Sequence, residues 1–493
     1  MGESNIVYVM KFILLSLSFL CLLFTVLLDA QKHNKSGALH PCFCELNGQV
    51  DDCNCKVESV ASFNNLKVYD RLQNLLTRNY FKFFKVNLDK KCPFWPDDGT
   101  CALESCAVCP CTDEQVPCGL KDEPGIPHGK EKYLKESKAG GDADGSCDSR
   151  SDEEIRLSAL DTTISEESEA AFKTWTEHDD MAVDFCEVDD EQSLGMKYVD
   201  LTINPERYTG YKGQSAWRIW NSIYNENCFK PNEPANSEGY QTLLTDKSVR
   251  VALHTLTGGC KKMCLEKRVF YRLISGLHSS INVHLCAKYL LSGGIFGVET
   301  WGPNVDEFKQ RFDPQTTDGE GPVRLKNLYF TYLVVLRAIA KAAPLLEAEL
   351  FYTGEAKEDE QIQDDVEDLL QTIKQFPNHF NESTMFQGDK LQAKRLKEEF
   401  RNHFLNISRI MDCVGCDKCK LWGKLQIQGL GTALKILFSS PDSLKLRRRE
   451  IIALFNGFGR LSSSVHEVRE FQILLGGGTS GNAKMASSKS PFL

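Results

Sequence analysis

The sequence predicts a mainly α protein: a single large helical domain with a cysteine-rich, loop-rich N-terminal region. Three observations carry this. Apolar residues recur at helical spacing from about residue 200 onward, alternating strand patterns are few, and Pro, Gly and Cys crowd residues 92–118. With 493 residues, 42% hydrophobic and 26% charged, the chain has an ordinary globular composition. A chain of this size buries a large core and does not need disulfides merely to fold. No internal repeat is visible.

Residues 1–30 read as a signal peptide. Lys11 precedes an apolar run from Phe12 to Leu28, interrupted by Ser16, Ser18 and Thr25 and closed by Asp29 and Ala30. An uncleaved anchor is the alternative, because a run of about 18 residues is borderline for spanning. No second run of that length is expected. Residues 31–56 form a cysteine-rich unit in which Cys42-x-Cys44 and Cys53-x-Cys55 flank Leu46-Asn47-Gly48-Gln49. Asn-Gly is a hairpin turn signal. A hairpin nests Cys44 with Cys53 and Cys42 with Cys55, with a zinc site as the alternative.

Residues 57–475 are expected to form the helical domain, with 112–170 as a flexible acidic loop within it. Cys92, Cys101, Cys106, Cys109, Cys111 and Cys118 lie among Pro93, Pro96, Gly99, Pro110 and Pro117, which disfavour regular structure. The acidic, Gly-rich stretch that follows contains Cys147 and has a solvated composition. Trp217, Trp220 and Tyr224 share one face of a helix, and Val269, Leu273, Leu277, Ile281 and Leu285 mark another. A third runs from Leu325 to Phe351 with a kink or break at Pro344. Residues 389–411 read as a charged amphipathic helix, and further helices are expected at 421–438, 448–456 and 464–475. Residues 476–493 are a flexible tail. Its Gly476-Gly477-Gly478-Thr479-Ser480-Gly481 matches a dinucleotide fingerprint in letters only, because no strand-turn-helix context surrounds it.

The chemistry concentrates at Cys413-x-x-Cys416-x-x-Cys419, two overlapping C-x-x-C pairs. Such a pair at a helix start opens and closes as a dithiol or disulfide with little backbone movement. Structural bridging and zinc binding are the other readings, and Cys106-x-x-Cys109 offers a second pair for a metal. The chain has 20 cysteines, with only Cys21 in the leader, and a lumenal chain so rich in cysteine is disulfide-bonded by default. An odd number remains after the leader, so at least one thiol lacks an internal partner. The sequons at Asn34, Asn381 and Asn406 fit a lumenal route, with Asn381 and Asn406 as the glycosylation candidates. A net charge of -10 argues against nucleic acid as a partner. A mobile pair, Cys101-x-x-x-x-Cys106, and a fixed pair, Cys416-x-x-Cys419, suggest a thiol relay that needs an electron sink. No haem or iron-sulfur spacing is present, which leaves a flavin or a soluble partner.

Longer segments carry a resemblance. They are Cys92-Pro93-Phe94-Trp95, the run from Asn204 to Gly213, the run from Phe270 to His278, the run from Gly319 to Phe330, and Cys413 through Gln426. Over about residues 42–475 the chain resembles the endoplasmic reticulum oxidoreductins, flavin-dependent thiol oxidases that regenerate oxidised protein disulfide isomerase. The resemblance implies a helical domain that binds FAD without a Gly-rich fingerprint. It makes Cys416 and Cys419 the active-site pair, with Cys419 nearer the flavin, and Cys101 and Cys106 the shuttle pair. It makes Cys92–Cys413 and Cys228–Cys264 structural bridges, and repeats the pairs Cys42–Cys55 and Cys44–Cys53. The FAD contacts it implies are Arg207, Thr209, Trp220, Ser275, His278, Arg311 and Arg324. Cys147 matches a regulatory position, and Cys111 joins it as a regulatory candidate. Cys109, Cys118, Cys260 and Cys286 depart from the family pattern.

The expected partners are protein disulfide isomerase and molecular oxygen, in the lumen of the endoplasmic reticulum. Peripheral association with the lumenal membrane face stays open. A disulfide-rich lumenal binding protein without enzymatic activity is the alternative reading.

Overall fold

The computed structural model describes residues 57–476, except 96–105, 122–183, 190–193, 209–210, 228–264, 293–296, 377–379, 381, 383–384, 387–389 and 441–442. The chain divides into two units, and all the described residues belong to the one formed by Leu46–Phe229 and Cys264–Leu493. The expected signal peptide, the 31–56 hairpin and the tail beyond Gly476 lie outside the described residues, as do Cys101, Cys147, Cys228, Cys264, Thr209 and Asn381.

The architecture is mainly α. Helices α1 (Val57–Phe63) and α2 (Tyr69–Leu76) are joined through a π-helical stretch, Asn64–Val68, and followed by a single turn, α3 (Asn79–Lys82). Strand β1 (Phe83–Asn87) pairs antiparallel with β2 (Met196–Asp200), with Phe84 opposite Val199. Helix α4 (Gln214–Asn227) precedes the long α5 (Leu265–Ala287). A second small antiparallel pair, β3 (Tyr289–Leu291) and β4 (Thr300–Gly302), leads to α6 (Val305–Phe312). Then come α7 (Glu320–Glu347), α8 (Ala356–Lys374), α9 (Lys390–Ile410), α10 (Asp417–Phe438) and α11 (Arg448–Gly476).

The core lies where α5, α7, α10 and α11 pack together. Helix α10 is the central element, with every residue from Lys418 to Leu437 buried. A helix buried on all sides is expected to be apolar throughout, yet α10 carries Lys420, Lys424, Lys435, Gln426 and Gln428 inside. The three lysines are matched locally, while Gln426 Oε1 and Gln428 Nε2 have no hydrogen-bond partner among the described residues. Lys420 donates to the Leu88 carbonyl at 3.1 Å, Lys424 to the Asn87 carbonyl at 3.1 Å, and Lys435 reaches Glu450 at 2.8 Å.

Glycines let α10 and α11 approach closely. A Cβ added at Gly429 would stand 2.3 Å from the Ala453 carbonyl oxygen, and one at Gly457 would stand 3.5 Å from the Gly429 Cα. Backbone cannot yield as a side-chain tip does. Gly429→Ala is therefore expected to lower stability by about 1–3 kcal/mol or more, read as a lower denaturation midpoint.

Two helix expectations change. The structure runs α11 unbroken from Arg448 to Gly476, where two helices were expected, because Gly457 serves the crossing with Gly429 and does not end the helix. Helix α7 passes through Pro344 and ends at Glu347. It is also long and apolar enough to cross a membrane by composition, but 72% of its apolar window is buried in the protein. It works as a core helix. On α4, Trp217 is 53% exposed, so only Trp220 and Tyr224 of that expected face pack inward.

Candidate active site

The site is built at the N-terminus of α10. Cys416 is the N-cap, and its sulfur accepts a hydrogen bond from the Cys419 backbone amide at 3.2 Å. Orphan amides and the helix dipole favour negative charge at this position. A thiolate released at Cys416 on reduction is therefore stabilised. The structure forms the disulfide Cys416–Cys419, with Cα atoms 5.1 Å apart, and the disulfide Cys92–Cys413. Of the two overlapping C-x-x-C pairs, the second is closed and Cys413 is committed elsewhere.

The 3₁₀ turn Met411–Cys413 sets the approach to α10, and Asp412 locks it. Asp412 pairs with Lys424 at 2.5 Å, and Lys424 also meets Asp189 at 3.0 Å. Arg449 reaches the same Asp189 at 3.4 Å, and Lys90 lies 3.5 Å from Asp189 and 3.6 Å from Asp412. Burial alone would raise the Asp189 carboxyl, but Lys424 and Arg449 outweigh it and hold the group low. For Asp412 burial wins over Lys424, and its carboxyl is pushed up.

Cys416 is 1% exposed and Cys419 6%. A folded protein cannot bring its own disulfide to sulfurs so deeply set. Cys419 faces the backbone of Arg207, with its sulfur 3.8 Å from the Arg207 carbonyl oxygen. The Arg207 guanidinium stacks over Trp301 at 4.5 Å.

Trp220 from α4 and His278 from α5 stack face to face at 3.6 Å and 16°. The Tyr224 hydroxyl meets His278 Nδ1 at 2.5 Å. Burial, with Arg324 and Arg311 nearby, pushes the His278 imidazole down to about 3. It is neutral at physiological pH. Because the unfolded chain takes up a proton there first, His278 withdraws stability as pH falls below the ordinary imidazole value. Arg311 donates to Asn282 at 2.8 Å and pairs with Glu307 at 3.0 Å, while its Nε is buried without a hydrogen-bond partner among the described residues. Arg324 pairs with Glu320 at 2.9 Å. Ser275 accepts from Asn327 at 3.0 Å, one turn from His278 on α5. A planar aromatic face beside two guanidiniums, one with an unused buried N–H, suits a dinucleotide: the rings stack on a planar group and the arginines match a pyrophosphate.

The structure thus brings Trp220, Ser275, His278, Arg311 and Arg324 into one neighbourhood, with Arg207 at the disulfide. Cys106 is buried and disulfide-bonded, Cys118 is exposed and disulfide-bonded, and neither bonding partner is among the described residues. Cys109, Cys111, Cys186 and Cys286 are free thiols. Asn406 lies in α9 and donates its Nδ2, the atom a glycan would join, to Glu226 at 3.1 Å.

Comparison with known proteins shows the family. A sequence model of the Endoplasmic Reticulum Oxidoreductin 1 (ERO1) family matches residues 67–468. The chain belongs to that family. This oxidoreductin is 49% identical over 460 residues to the Ero1-like protein of Drosophila melanogaster, covering 88% of this chain and 91% of that one. It is 49% identical over 454 residues to human ERO1-like protein alpha, covering 89% and 93%. Its fold is similar to that of solved Ero1p, described as a source of disulfide bonds for oxidative protein folding in the cell. The TM-score is 0.54 at 27% identity, covering 85% of this chain and 98% of Ero1p. A mutant of Ero1p from S. cerevisiae gives a TM-score of 0.53 at 28% identity, covering 85% and 98%. The oxidoreductin is accordingly an oxidoreductase, and the mainly α fold is that of its relatives.

Several site residues carried no signal in the sequence. Asp189, Lys424 and Arg449 are far apart in the chain and meet only in the fold. Tyr224 appeared as one member of an aromatic face, not as the hydrogen-bond partner of His278. Glu206, within the run that carries the resemblance, and Arg460 were given no role, and they pair only in the fold.

Proposed function

We propose that this oxidoreductin is a FAD-dependent thiol oxidase of the endoplasmic reticulum lumen that oxidises protein disulfide isomerase. The observation that carries the reading is the closed, buried Cys416–Cys419 disulfide at the N-cap of α10, facing the arginine and aromatic wall begun by Arg207. Cys101 and Cys106 take the dithiol partner's electrons and carry them inward, because the inner pair is too deep for a folded partner. The shuttle thiolate attacks the inner disulfide, forms a mixed disulfide, and resolves to its own disulfide as Cys416 and Cys419 are reduced. Cys416 holds the developing thiolate charge at the helix N-terminus. Trp220, His278, Ser275, Arg311 and Arg324, with Arg207 and Thr209, hold FAD, His278 as a neutral hydrogen-bonding ring and the arginines as pyrophosphate partners. The chemistry FAD supplies when bound is acceptance of two electrons from the dithiol and their delivery to oxygen, giving hydrogen peroxide. Cys147 and Cys111 regulate the shuttle by competing for its sulfurs.

The purified protein is expected to be yellow with flavin absorbance, and a colourless protein free of flavin would overturn the reading. His278→Ala and Arg324→Ala should each lower flavin occupancy. Removing one charged or hydrogen-bonded contact typically costs about 1.5–3 kcal/mol, around tenfold to a hundredfold in affinity. Unchanged FAD content in both variants would move the cofactor elsewhere.

A further inference from the structure

Glu206 is a buried carboxylate, 3% exposed, set beside the buried Tyr208 hydroxyl, which burial and then Glu206 push well above the ordinary phenol range. An acid in that position normally finds partners or loses its charge. Its charged neighbour is Arg460 of α11, whose Nε lies 3.4 Å from Glu206 Oε2. The same guanidinium lies over the Trp422 ring, 3.8 Å from its centre. Trp422 stands one turn beyond Cys419 on α10, and its Nε1 donates to the Asn204 carbonyl at 2.8 Å. His284 of α5 closes the back of the group, with Nε2 3.0 Å from the Arg460 carbonyl.

The group stands directly behind the disulfide. Glu206 precedes Arg207, whose carbonyl touches the Cys419 sulfur. The surroundings of the pair are otherwise cationic. Burial and then Arg460 hold the Arg207 guanidinium below its ordinary value, and burial and then Arg207 do the same to Lys418. These two shifts register mutual repulsion among three cations. Of the other charges nearby, Asp417 stands in the first turn of α10, the free thiol Cys109 lies within electrostatic reach of Lys418, and His284 is held low by burial. Asp412 is taken up by Lys424. Glu206 is the buried carboxylate set against Arg460 and Arg207, the two guanidiniums at the pair.

We propose that Glu206 is a positioning residue for the Cys416–Cys419 pair: through Arg460 and Trp422 it fixes the wall behind the disulfide, and its charge offsets Arg460 and Arg207, limiting how strongly the pair oxidises. This rests on the redox reading of the pair given above. Cationic surroundings stabilise a thiolate, and a stabilised reduced form makes a disulfide a stronger oxidant. A fixed anion behind the sulfurs moves both properties the other way.

The test equilibrates the full-length protein with mixtures of reduced and oxidised dithiothreitol, with acid quench and mass spectrometry of the peptide bearing Cys416 and Cys419. In this exchange the Cys416–Cys419 bond breaks and dithiothreitol closes its own disulfide. Two electrons and two protons pass to the cysteines, one proton leaving to buffer where a thiolate is held. Glu206→Gln should shift the equilibrium about tenfold toward the reduced pair, about 30 mV for a two-electron couple, and the alkylation pH profile of the pair should move to lower pH. The double variant Glu206→Gln/Arg460→Gln removes both charges and should return toward the parent, whereas a purely structural role would make the double variant worse than the single. Should Glu206→Gln not fold, Arg460→Gln reports instead: it removes a cation and leaves Glu206 unopposed, and should shift the equilibrium the other way, toward the disulfide. An unshifted Glu206→Gln, a double variant displaced as far as the single, or an Arg460→Gln that is unshifted or shifted toward the reduced pair overturns the inference. A pair that never exchanges with dithiothreitol in the parent overturns the redox reading itself.

Discussion

Replacing Cys416 or Cys419 with alanine is expected to bring thiol-dependent oxygen consumption down to the uncatalysed background while leaving bound flavin in place. The two sulfurs act as one unit. With Cys416 gone, the N-cap loses both the sulfur that accepts the Cys419 amide and the thiolate that the helix N-terminus stabilises. With Cys419 gone, no sulfur remains beside Arg207. Five of the proposed cofactor contacts, Trp220, Ser275, His278, Arg311 and Arg324, lie on α4, α5, α6 and α7, apart from the changed sulfurs, so flavin should stay bound. Activity within a few-fold of the parent in either variant would sink the assignment. A second arm separates relay from active site. Cys101→Ala with Cys106→Ala should block oxidation of a folded isomerase and spare much of the oxidation of a small dithiol, which can reach sulfurs that are 1% and 6% exposed where a protein cannot. Equal loss with both substrates would argue against a relay.

What the sequence disclosed, and what it withheld, follows from how local each signal is. Helical periodicity is a property of neighbouring residues, so α5, α9 and α10 were legible to within a few residues. Gly457 and Pro344 misled because a residue that usually ends a helix is tolerated when tertiary packing favours it: Gly457 meets Gly429 across the crossing. The disulfide pair was legible because Cys416 and Cys419 are close in sequence and their spacing carries the chemistry. The charges that govern the pair were not. Glu206 meets Arg460, and Lys424 meets Asp189, across more than 200 residues of chain, and no window of sequence contains both partners. Trp220 was read as part of one helix face and, from the resemblance, as a FAD contact. Its partner His278 came from the family resemblance, and only the fold shows them stacked.

The buried charge cluster beside the site carries the other large effect. Lys424→Met should destabilise the protein by about 3–5 kcal/mol, the usual cost of removing one partner from a buried pair. Lys424 is 8% exposed on its side chain and Asp412 2%, so water cannot replace the lost ammonium. Asp189 keeps Arg449 at 3.4 Å, but Asp412 is left with Lys90 at 3.6 Å. The damage therefore falls on the turn that carries Cys413 and delivers the chain to Cys416. The pH dependence has a definite sign. In the parent, Asp189 is held low, so its contribution is present at neutral pH and is lost as pH falls through its folded value. In Lys424→Met, the Asp412 carboxyl, already raised by burial, rises further. A group whose folded value is raised gains stability as pH falls, so the penalty of Lys424→Met should shrink in mild acid. Adding Asp412→Asn removes the orphaned charge and should recover part of the loss at neutral pH. Denaturation midpoints of the single and double variants across this pH range decide the matter: a penalty that is independent of pH, or a double variant no better than the single, would assign the effect to lost side-chain packing instead of an unpaired charge.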